Sequence, residues 1–159
     1  MKRFINIISS AILLILVLII AVIFAPKLFH VEPMVVVSSS MEPSYMKGSL
    51  LYVKEDTGGV QTGDAITFYR NGELVTHRVV EINTDEKTYT TKGDANQVND
   101  VQPVAWSDVV GVPVFDIPWL GYPAAFFGTT QGKFVFIVLL IIFTCITVLT
   151  DKKMEKTNG

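Results

Sequence analysis

Residues 65–82 read AITFYRNGELVTHRVVEI, and this stretch decides the fold. Two runs rich in β-branched and aromatic residues, Ala65 to Tyr69 and Leu74 to Ile82, flank the dipeptide Asn71-Gly72. Asn and Gly both tolerate the positive φ that a two-residue hairpin turn requires. The stretch therefore predicts two antiparallel strands joined by a tight turn.

Further runs of the same kind lie on both sides of this hairpin, and turn residues separate them. They predict strands at Met34 to Val37, Ser49 to Val53, Lys87 to Lys92 and Val109 to Phe115. Residues 83–86, Asn-Thr-Asp-Glu, predict the next chain reversal. No convincing helical periodicity separates these runs. The central part of the chain is therefore predicted to be a small, mainly antiparallel β domain.

The N-terminal end of the chain is strongly apolar. Phe4 to Phe24 contains no charged residue, and its 21 residues would form about 31 Å of helix, enough to cross a bilayer core. A cleavable secretory signal is the alternative interpretation, because Lys2 and Arg3 would supply its basic start. The run is longer than the apolar core of a signal peptide, and no clear small-x-small cleavage site precedes Lys27. We therefore expect a retained membrane anchor.

A second uncharged run, Phe134 to Leu149, predicts another membrane helix, with a buried core helix as the alternative. Basic residues lie outside both runs, at Lys2 and Arg3 and at Lys152, Lys153 and Lys156, which predicts that both termini are cytoplasmic. The expected organisation is a basic tip and first span at 1–25, an extracytoplasmic β domain at 26–132, a second span at 133–150 and a cytoplasmic tail at 151–159.

Composition excludes several classes of function. The chain has 159 residues, of which 50% are hydrophobic and 18% charged, so it is too apolar to be disordered. Its formal net charge of −2 gives no sign of a nucleic-acid surface. The single cysteine, Cys145, lies inside the second apolar run, and with two histidines the chain has no zinc-ligand spacing. We therefore expect no metal, no cofactor and no nucleic-acid partner.

Three segments could carry chemistry. Strand alternation places His77 on one face with Val75 and Val79, where a structural histidine is the common interpretation and a general base the alternative. Residues 38–40 form a serine triplet, which is often a linker but could supply a nucleophile. Residues 92–100, KGDANQVND, supply two carboxylates in a loop that follows a strand. By composition alone that loop is a turn, and calcium binding is only a weak functional alternative, because the spacing does not match an EF-hand loop.

Together these segments resemble a known family. Ser-Ser-Ser-Met-Glu-Pro at 38–43, Gly-Asp-Ala-Ile-Thr-Phe at 63–68, Thr-His-Arg-Val-Val at 76–80 and Lys-Gly-Asp-Ala-Asn followed by Asp at 92–100 occur in the order found in type I signal peptidases. The histidine of the third motif makes the chain similar to the endoplasmic-reticulum-type branch, in which histidine replaces the lysine base of common bacterial enzymes. Ser39 departs from the pattern, because glycine is common at that position.

The resemblance implies a role for each matching residue. It makes Ser40 the nucleophile, His77 the general base and Asp100 the catalytic acid of a Ser-His-Asp mechanism. It also makes Ser38 a side-chain donor to the oxyanion hole and Asp94 a residue that supports the structure of the site. Lys92 is the alternative base, but it belongs to the Lys-Gly-Asp motif and not to the base position.

The function implied is that of a membrane-bound serine endopeptidase that removes signal peptides from exported precursor proteins after small residues, without a cofactor. Its partners would be those precursors and the lipid bilayer, and the sequence leaves open whether accessory subunits take part. The alternative function is a non-catalytic, membrane-anchored β-domain scaffold, or a degenerate relative of the peptidases. A self-cleaving regulator is disfavoured by the two predicted spans.

Overall fold

A computed structural model describes residues 2–55 and 58–158 of the chain. The elements, in chain order, are α1 Lys2–Phe24, β1 Val31–Val35, β2 Leu50–Lys54, β3 Ala65–Arg70, β4 Glu73–Asn83, β5 Thr88–Lys92, β6 Val104–Ala105, β7 Val109–Ile117, α2 Gly121–Gly128 and α3 Thr130–Asn158. Two short 3₁₀ helices, Ala25–Phe29 and Trp106–Asp108, connect some of them.

The strands form one seven-stranded antiparallel sheet in the order β1-β2-β7-β3-β4-β5-β6. This sheet, with a long apolar helix at each end of the chain, confirms the predicted fold class. Residues Pro26–Ala124 form one compact unit that contains the sheet. One buried cluster in the core of that unit consists of five side chains, Ile66, Phe68, Val79, Tyr89 and Val104.

The central hairpin is as predicted. Asn71 and Gly72 have φ values of 53° and 82° and join β3 to β4 with Arg70 opposite Glu73. His77 lies on β4 opposite Ile66, and it is buried, as is Val79. The predicted reversal at 83–86 is also present, because the Asn83 side-chain oxygen accepts hydrogen bonds from the backbone N–H groups of Asp85 and Glu86.

The predicted bounds of the first strand were wrong, and two short elements were not predicted. The first strand is Val31–Val35 and not Met34 to Val37, because β1 is a terminal strand of the sheet, where Pro33 costs no essential ladder hydrogen bond. The two-residue strand β6 was not predicted. The helix α2 was not predicted either, since its eight almost entirely apolar residues carry no helical periodicity; Pro123 lies in its first turn, where proline is tolerated.

The helices α1 and α3 belong to a second compact unit and pack against each other. The buried Ser9 hydroxyl donates a hydrogen bond to the Phe143 carbonyl at 3.1 Å and lies 3.1 Å from the Thr147 hydroxyl. Both helices are candidate membrane spans, at Phe4–Phe29 and Thr130–Leu149. Only 6% of the most apolar stretch of α3 is buried. This exposure does not fit a buried core helix, which was the alternative interpretation of the second apolar run.

Candidate active site

The predicted nucleophile lies in the nucleophile loop, which we define as residues 36–49, between β1 and β2. Ser40 is half-buried there, and the Ser38 hydroxyl lies 3.2 Å from the Ser40 hydroxyl. The loop is anchored at its base, because the Val36 N–H donates to the Ser49 carbonyl and the Gly48 N–H donates to the Val36 carbonyl. These bonds continue the pairing of β1 and β2 beyond the strands and fix where the loop begins and ends.

His77 stands between the predicted nucleophile and the predicted acid. Its Nε2 atom lies 3.3 Å from the Ser40 Oγ atom, and its Nδ1 atom lies 2.6 Å from the Asp100 Oδ2 atom. Because a carboxylate can only accept, Nδ1 carries the proton and the Nε2 lone pair of neutral His77 faces the Ser40 hydroxyl. The ring also packs edge-on against Phe68, with 6.4 Å between the ring centroids. Strand β4 thus holds the imidazole in one orientation.

Asp100 ends the acid loop, which we define as residues 93–100, after β5. Its Oδ2 atom accepts hydrogen bonds from His77 and from the Thr91 hydroxyl at 2.7 Å, and it lies 3.1 Å from Arg70 Nη1. The Asp100 N–H donates to the Thr91 carbonyl. Burial alone would raise the pKa of the Asp100 carboxyl, but the hydrogen bonds from His77 and Thr91, the attraction of the His77 ring when it is protonated, and Arg70 together hold that pKa below its usual value.

Asp94 lies in the same loop but has different partners. Its two carboxylate oxygens accept hydrogen bonds from Arg78 Nε at 2.7 Å and from Arg78 Nη2 at 2.6 Å. The same guanidinium donates to the Gly63 carbonyl and to the Ser44 hydroxyl of the nucleophile loop. The hydrogen bond from Arg78 outweighs burial, and with Ser44 and Lys92 it lowers the pKa of the Asp94 carboxyl. Through Arg78, Asp94 therefore connects the acid loop to β4 and to the nucleophile loop, while its own carboxylate oxygens contact Arg78 and not Ser40 or His77.

The acid loop and the nucleophile loop touch through backbone atoms. The Ala95 N–H donates to the Ser40 carbonyl at 2.9 Å. A Cβ atom at Gly93 would lie 2.6 Å from that same carbonyl oxygen, so only glycine permits the approach without a shift. Glycine in the Lys-Gly-Asp motif thus lets the acid loop pack directly against the backbone of the nucleophile loop.

A cavity of about 190 Å³ opens beside Ser40. It is mainly apolar, and it is lined by residues 34–38, Ser40, Met41, Tyr45, Leu51, Thr67 and residues 73–76. Burial raises the pKa of the Tyr45 hydroxyl. The cavity thus lies among the last part of β1, which is a terminal strand of the sheet, the nucleophile loop and the first part of β4.

The structure brings four of the five predicted site residues into one continuous set of contacts: Ser38, Ser40, His77 and Asp100. The basic side chain within hydrogen-bond distance of the Ser40 hydroxyl is His77 and not the alternative base, Lys92. The calcium interpretation of the acid loop has no support, because both carboxylates point to protein partners. Sequence reasoning missed Arg70, Thr91, Arg78 and Ser44. Arg78, next to His77 in the third motif, was the one with a visible signal.

Comparison with known proteins agrees with this geometry. Residues 8–103, more than half of the chain, match the family described as signal peptidase, peptidase S26. Signal peptidase I W of Bacillus subtilis (strain 168) is 36% identical over 121 residues, which are 69% of this chain and 64% of that protein. The signal peptidase complex catalytic subunit SEC11 of Candida tropicalis is 30% identical over 105 residues, 58% of this chain and 63% of that protein.

A third relative, the signal peptidase complex catalytic subunit SEC11 of Leptosphaeria maculans, is 36% identical over 101 residues, 55% of this chain and 58% of that protein. The chain thus spans less than two thirds of the length of each of these relatives. The chain belongs to the signal peptidase family, peptidase S26. The resemblance to the branch that includes the eukaryotic SEC11 proteins is confirmed.

Proposed function

We propose that this protein is a membrane-bound serine endopeptidase that cleaves signal peptides from exported precursor proteins after small residues. The observation that carries the proposal is the unbroken set of hydrogen-bond distances from Ser40 through His77 to Asp100. Each residue type matches the role it would need: a hydroxyl nucleophile, a base that titrates near neutral pH and a carboxylate that orients the base.

The chemistry follows from the order of these contacts. His77 Nε2 accepts the Ser40 proton while the Ser40 Oγ atom attacks the carbonyl carbon of the peptide bond. The imidazolium then gives that proton to the leaving amine, and an ester between Ser40 and the signal peptide remains. A water molecule, deprotonated by the same imidazole, hydrolyses the ester. Asp100 stays ionised throughout, because its role is to hold the Nδ1–H tautomer and to stabilise the imidazolium.

The carbonyl oxygen becomes negative in each tetrahedral intermediate and needs hydrogen-bond donors already in place. The Ser38 hydroxyl is the side-chain candidate, because it lies 3.2 Å from the Ser40 hydroxyl, and the Ser40 N–H is the main-chain candidate. Losing one such donor typically raises the barrier by about 3 kcal/mol. Removal of the Ser38 hydroxyl would then slow cleavage without removing the nucleophile.

The substrate site proposed is the apolar cavity beside Ser40. Strand β1 is terminal in the sheet, and among residues 2–55 and 58–158 no strand pairs with its outer edge, so an extended peptide could pair there, beside Val35 to Val37. The residues that precede the cleaved bond in secretory signal peptides are small, and a cavity of about 190 Å³ with a mainly apolar lining suits them. Backbone pairing would give affinity, and the cavity would give the preference for small side chains.

The proposed topology places residues 26–132 outside the cytoplasmic membrane and both termini inside. Two candidate spans and the excess of basic residues beyond their outer ends support it. A protease added to intact protoplasts should therefore digest the β domain and spare an epitope fused after Gly159. Digestion of that epitope from outside would contradict a two-span arrangement, while permeabilised protoplasts serve as the control for epitope accessibility.

The decisive test of activity compares two adjacent serines in the full chain, purified in detergent and mixed with an exported precursor. Ser40→Ala should reduce cleavage by about 10⁴-fold or more, because it removes the nucleophile. Ser39→Ala is the matched control, since Ser39 is exposed and its side chain has no place in the proposed mechanism. We expect it to retain cleavage within about threefold of the unmodified chain.

Both variants should unfold at the same temperature as the unmodified chain. Cleavage by the Ser40 variant, at one site after a small residue and at the normal rate, would show that another group is the nucleophile. A complete lack of cleavage by the unmodified chain, with several precursors and in its native membrane, would instead favour the scaffold function.

A further inference from the structure

Arg70, the last residue of β3, makes three contacts around the proposed catalytic acid. Its Nη1 atom lies 3.1 Å from Asp100 Oδ2, and its Nη2 atom donates to the Gln102 carbonyl at 2.9 Å. Its guanidinium also lies 4.9 Å above the centroid of the Phe68 ring. A planar guanidinium held on three sides has little freedom left, so its charge stays close to Asp100.

The contact with Asp100 places a positive charge next to the base. Arg70 and His77 both contact the same carboxylate oxygen, Oδ2, and the Asp100 side chain is only 9% exposed. Water therefore screens this group poorly. A cation at this distance favours the ionised carboxylate and disfavours a second cation, the His77 imidazolium.

We propose that Arg70 is a positioning residue for the cleavage reaction. It holds the Asp100 carboxylate in place, and its charge opposes the formation of a second cation at the His77 ring. The inference rests on the proposed function, in which neutral His77 is the general base. Arg70 acts through Asp100 and does not line the cavity beside Ser40.

A substitution of Arg70 leaves the other charged groups around Arg70 and Asp100 unchanged. Glu73 is the cross-strand neighbour of Arg70 on β4. On the neighbouring positions of β4 and β5, Arg78 is paired with Asp94, and Lys92 lies opposite Arg78. The Thr91 hydroxyl, which is buried, donates to Asp100 from β5 but carries no charge. A change of Arg70 alone therefore isolates one charge.

The test measures kcat/KM for precursor cleavage as a function of pH with the full chain in detergent. Arg70→Met keeps the length of the side chain and removes its charge, and Arg70→Lys keeps the charge. We expect the acid limb of the pH profile to move up by about one pH unit in Arg70→Met and to stay within about 0.3 unit of the unmodified chain in Arg70→Lys. The plateau rate at high pH should fall by less than about tenfold, with KM unchanged.

Lys87→Met is the matched control, because it removes a positive charge from an exposed turn between β4 and β5. Its acid limb should not move. A merely structural role for Arg70 would lower the yield of folded protein or the plateau rate and would leave the acid limb in place. If Arg70→Met does not fold, Arg70→Gln, which retains a donor for Asp100 and Gln102, carries the same expectation.

A second readout is independent of cleavage. NMR titration of the ring protons of His77, in a His30→Asn background that leaves one histidine, gives the midpoint of imidazole protonation directly. Asparagine suits position 30, where φ is 56°. We expect the midpoint to move up by about one unit with Arg70→Met and not with Arg70→Lys. An unmoved midpoint, or equal movement in both variants, would overturn the inference. A moved midpoint in a chain that cleaves nothing would contradict only the proposed function.

Discussion

Two aspartates of the acid loop each pair with an arginine, and the two pairs differ in how the carboxylate oxygens are used. Asp94 gives one oxygen to each of two nitrogen atoms of Arg78, at 2.7 and 2.6 Å. Asp100 instead shares a single oxygen, Oδ2, among His77, Thr91 and Arg70. The same two residue types therefore make two different kinds of contact within seven residues of one loop.

The difference fits the roles proposed for the two aspartates, which are bracing for Asp94 and support of proton transfer for Asp100. A fork of two parallel hydrogen bonds fixes distance and plane, and Arg78 extends it to Ser44 and to the Gly63 carbonyl. An oxygen shared by three donors is sensitive to any change in their charge, because each donor competes for the same lone pairs. The geometry of the Asp94–Arg78 pair suits a loop that must not move. The geometry around Asp100 suits a carboxylate that supports a base, His77, as that base gains and loses a proton.

The substitution expected to have the largest effect on turnover is Asp100→Asn, which tests whether Asp100 supports His77. If Asp100 orients His77, the amide should lower turnover by about 10³- to 10⁴-fold, since it can stabilise the wrong imidazole tautomer and cannot stabilise the imidazolium. The Asn side-chain oxygen can still accept from Thr91, so the folded state should persist. Turnover per folded molecule, with the thermal unfolding midpoint measured on the same sample, checks the expectation.

Thr90→Val is a useful comparison for that experiment, because it changes the residue next to Thr91 on β5 and leaves the Asp100 contacts in place. It should lower turnover by less than about threefold. An Asp100→Asn variant with normal turnover would show that Asp100 does not assist His77. An unfolded Asp100→Asn variant beside a folded, inactive Asp94→Asn variant would exchange the roles of the two aspartates.

The hairpin was predictable because its determinants are local. Asn71-Gly72 fixes the turn, alternation fixes the face of His77, and both features involve residues close in sequence. The ends of β1 and the short elements β6 and α2 were not predictable in the same way. β1 includes Pro33 because it is terminal in the sheet, and that position is set by the order of all seven strands.

The candidate site likewise contains residues that the sequence predicts and residues that it does not. The motifs pointed to Ser40, His77 and Asp100, because each motif carries its own residue types. Arg70 and Thr91 belong to no motif, and they reach Asp100 only through strand register. That register includes irregularities between Thr67 and Phe68 and between Val79 and Glu81, which shift side chains in ways that sequence spacing does not reveal.

A smaller effect, mainly on stability, is expected when the other aspartate, Asp94, is changed. Asp94→Asn removes the charge that pairs with Arg78 but leaves Ser40, His77 and Asp100 untouched. It should lower the free energy of unfolding by about 1 to 2 kcal/mol, at the lower end for a broken network because Arg78 is 34% exposed and water screens it. Turnover per folded molecule should fall by less than about tenfold. Chemical unfolding and turnover on the same preparation test both expectations.

The pH dependence of that loss identifies the charge as its cause. The pKa of Asp94 is lowered in the folded protein by Arg78, so folded Asp94 binds fewer protons than unfolded Asp94. Its contribution is therefore fully present above the unfolded pKa of about 3.9 and is lost as the pH falls through the lower, folded pKa. The stability gap between the unmodified chain and Asp94→Asn should be constant from about pH 5 to 7 and should close below about pH 4. Asp85→Asn, at an exposed turn, should show no comparable gap, and a gap that persists at low pH would mean that Asp94 braces the loop by shape and not by charge.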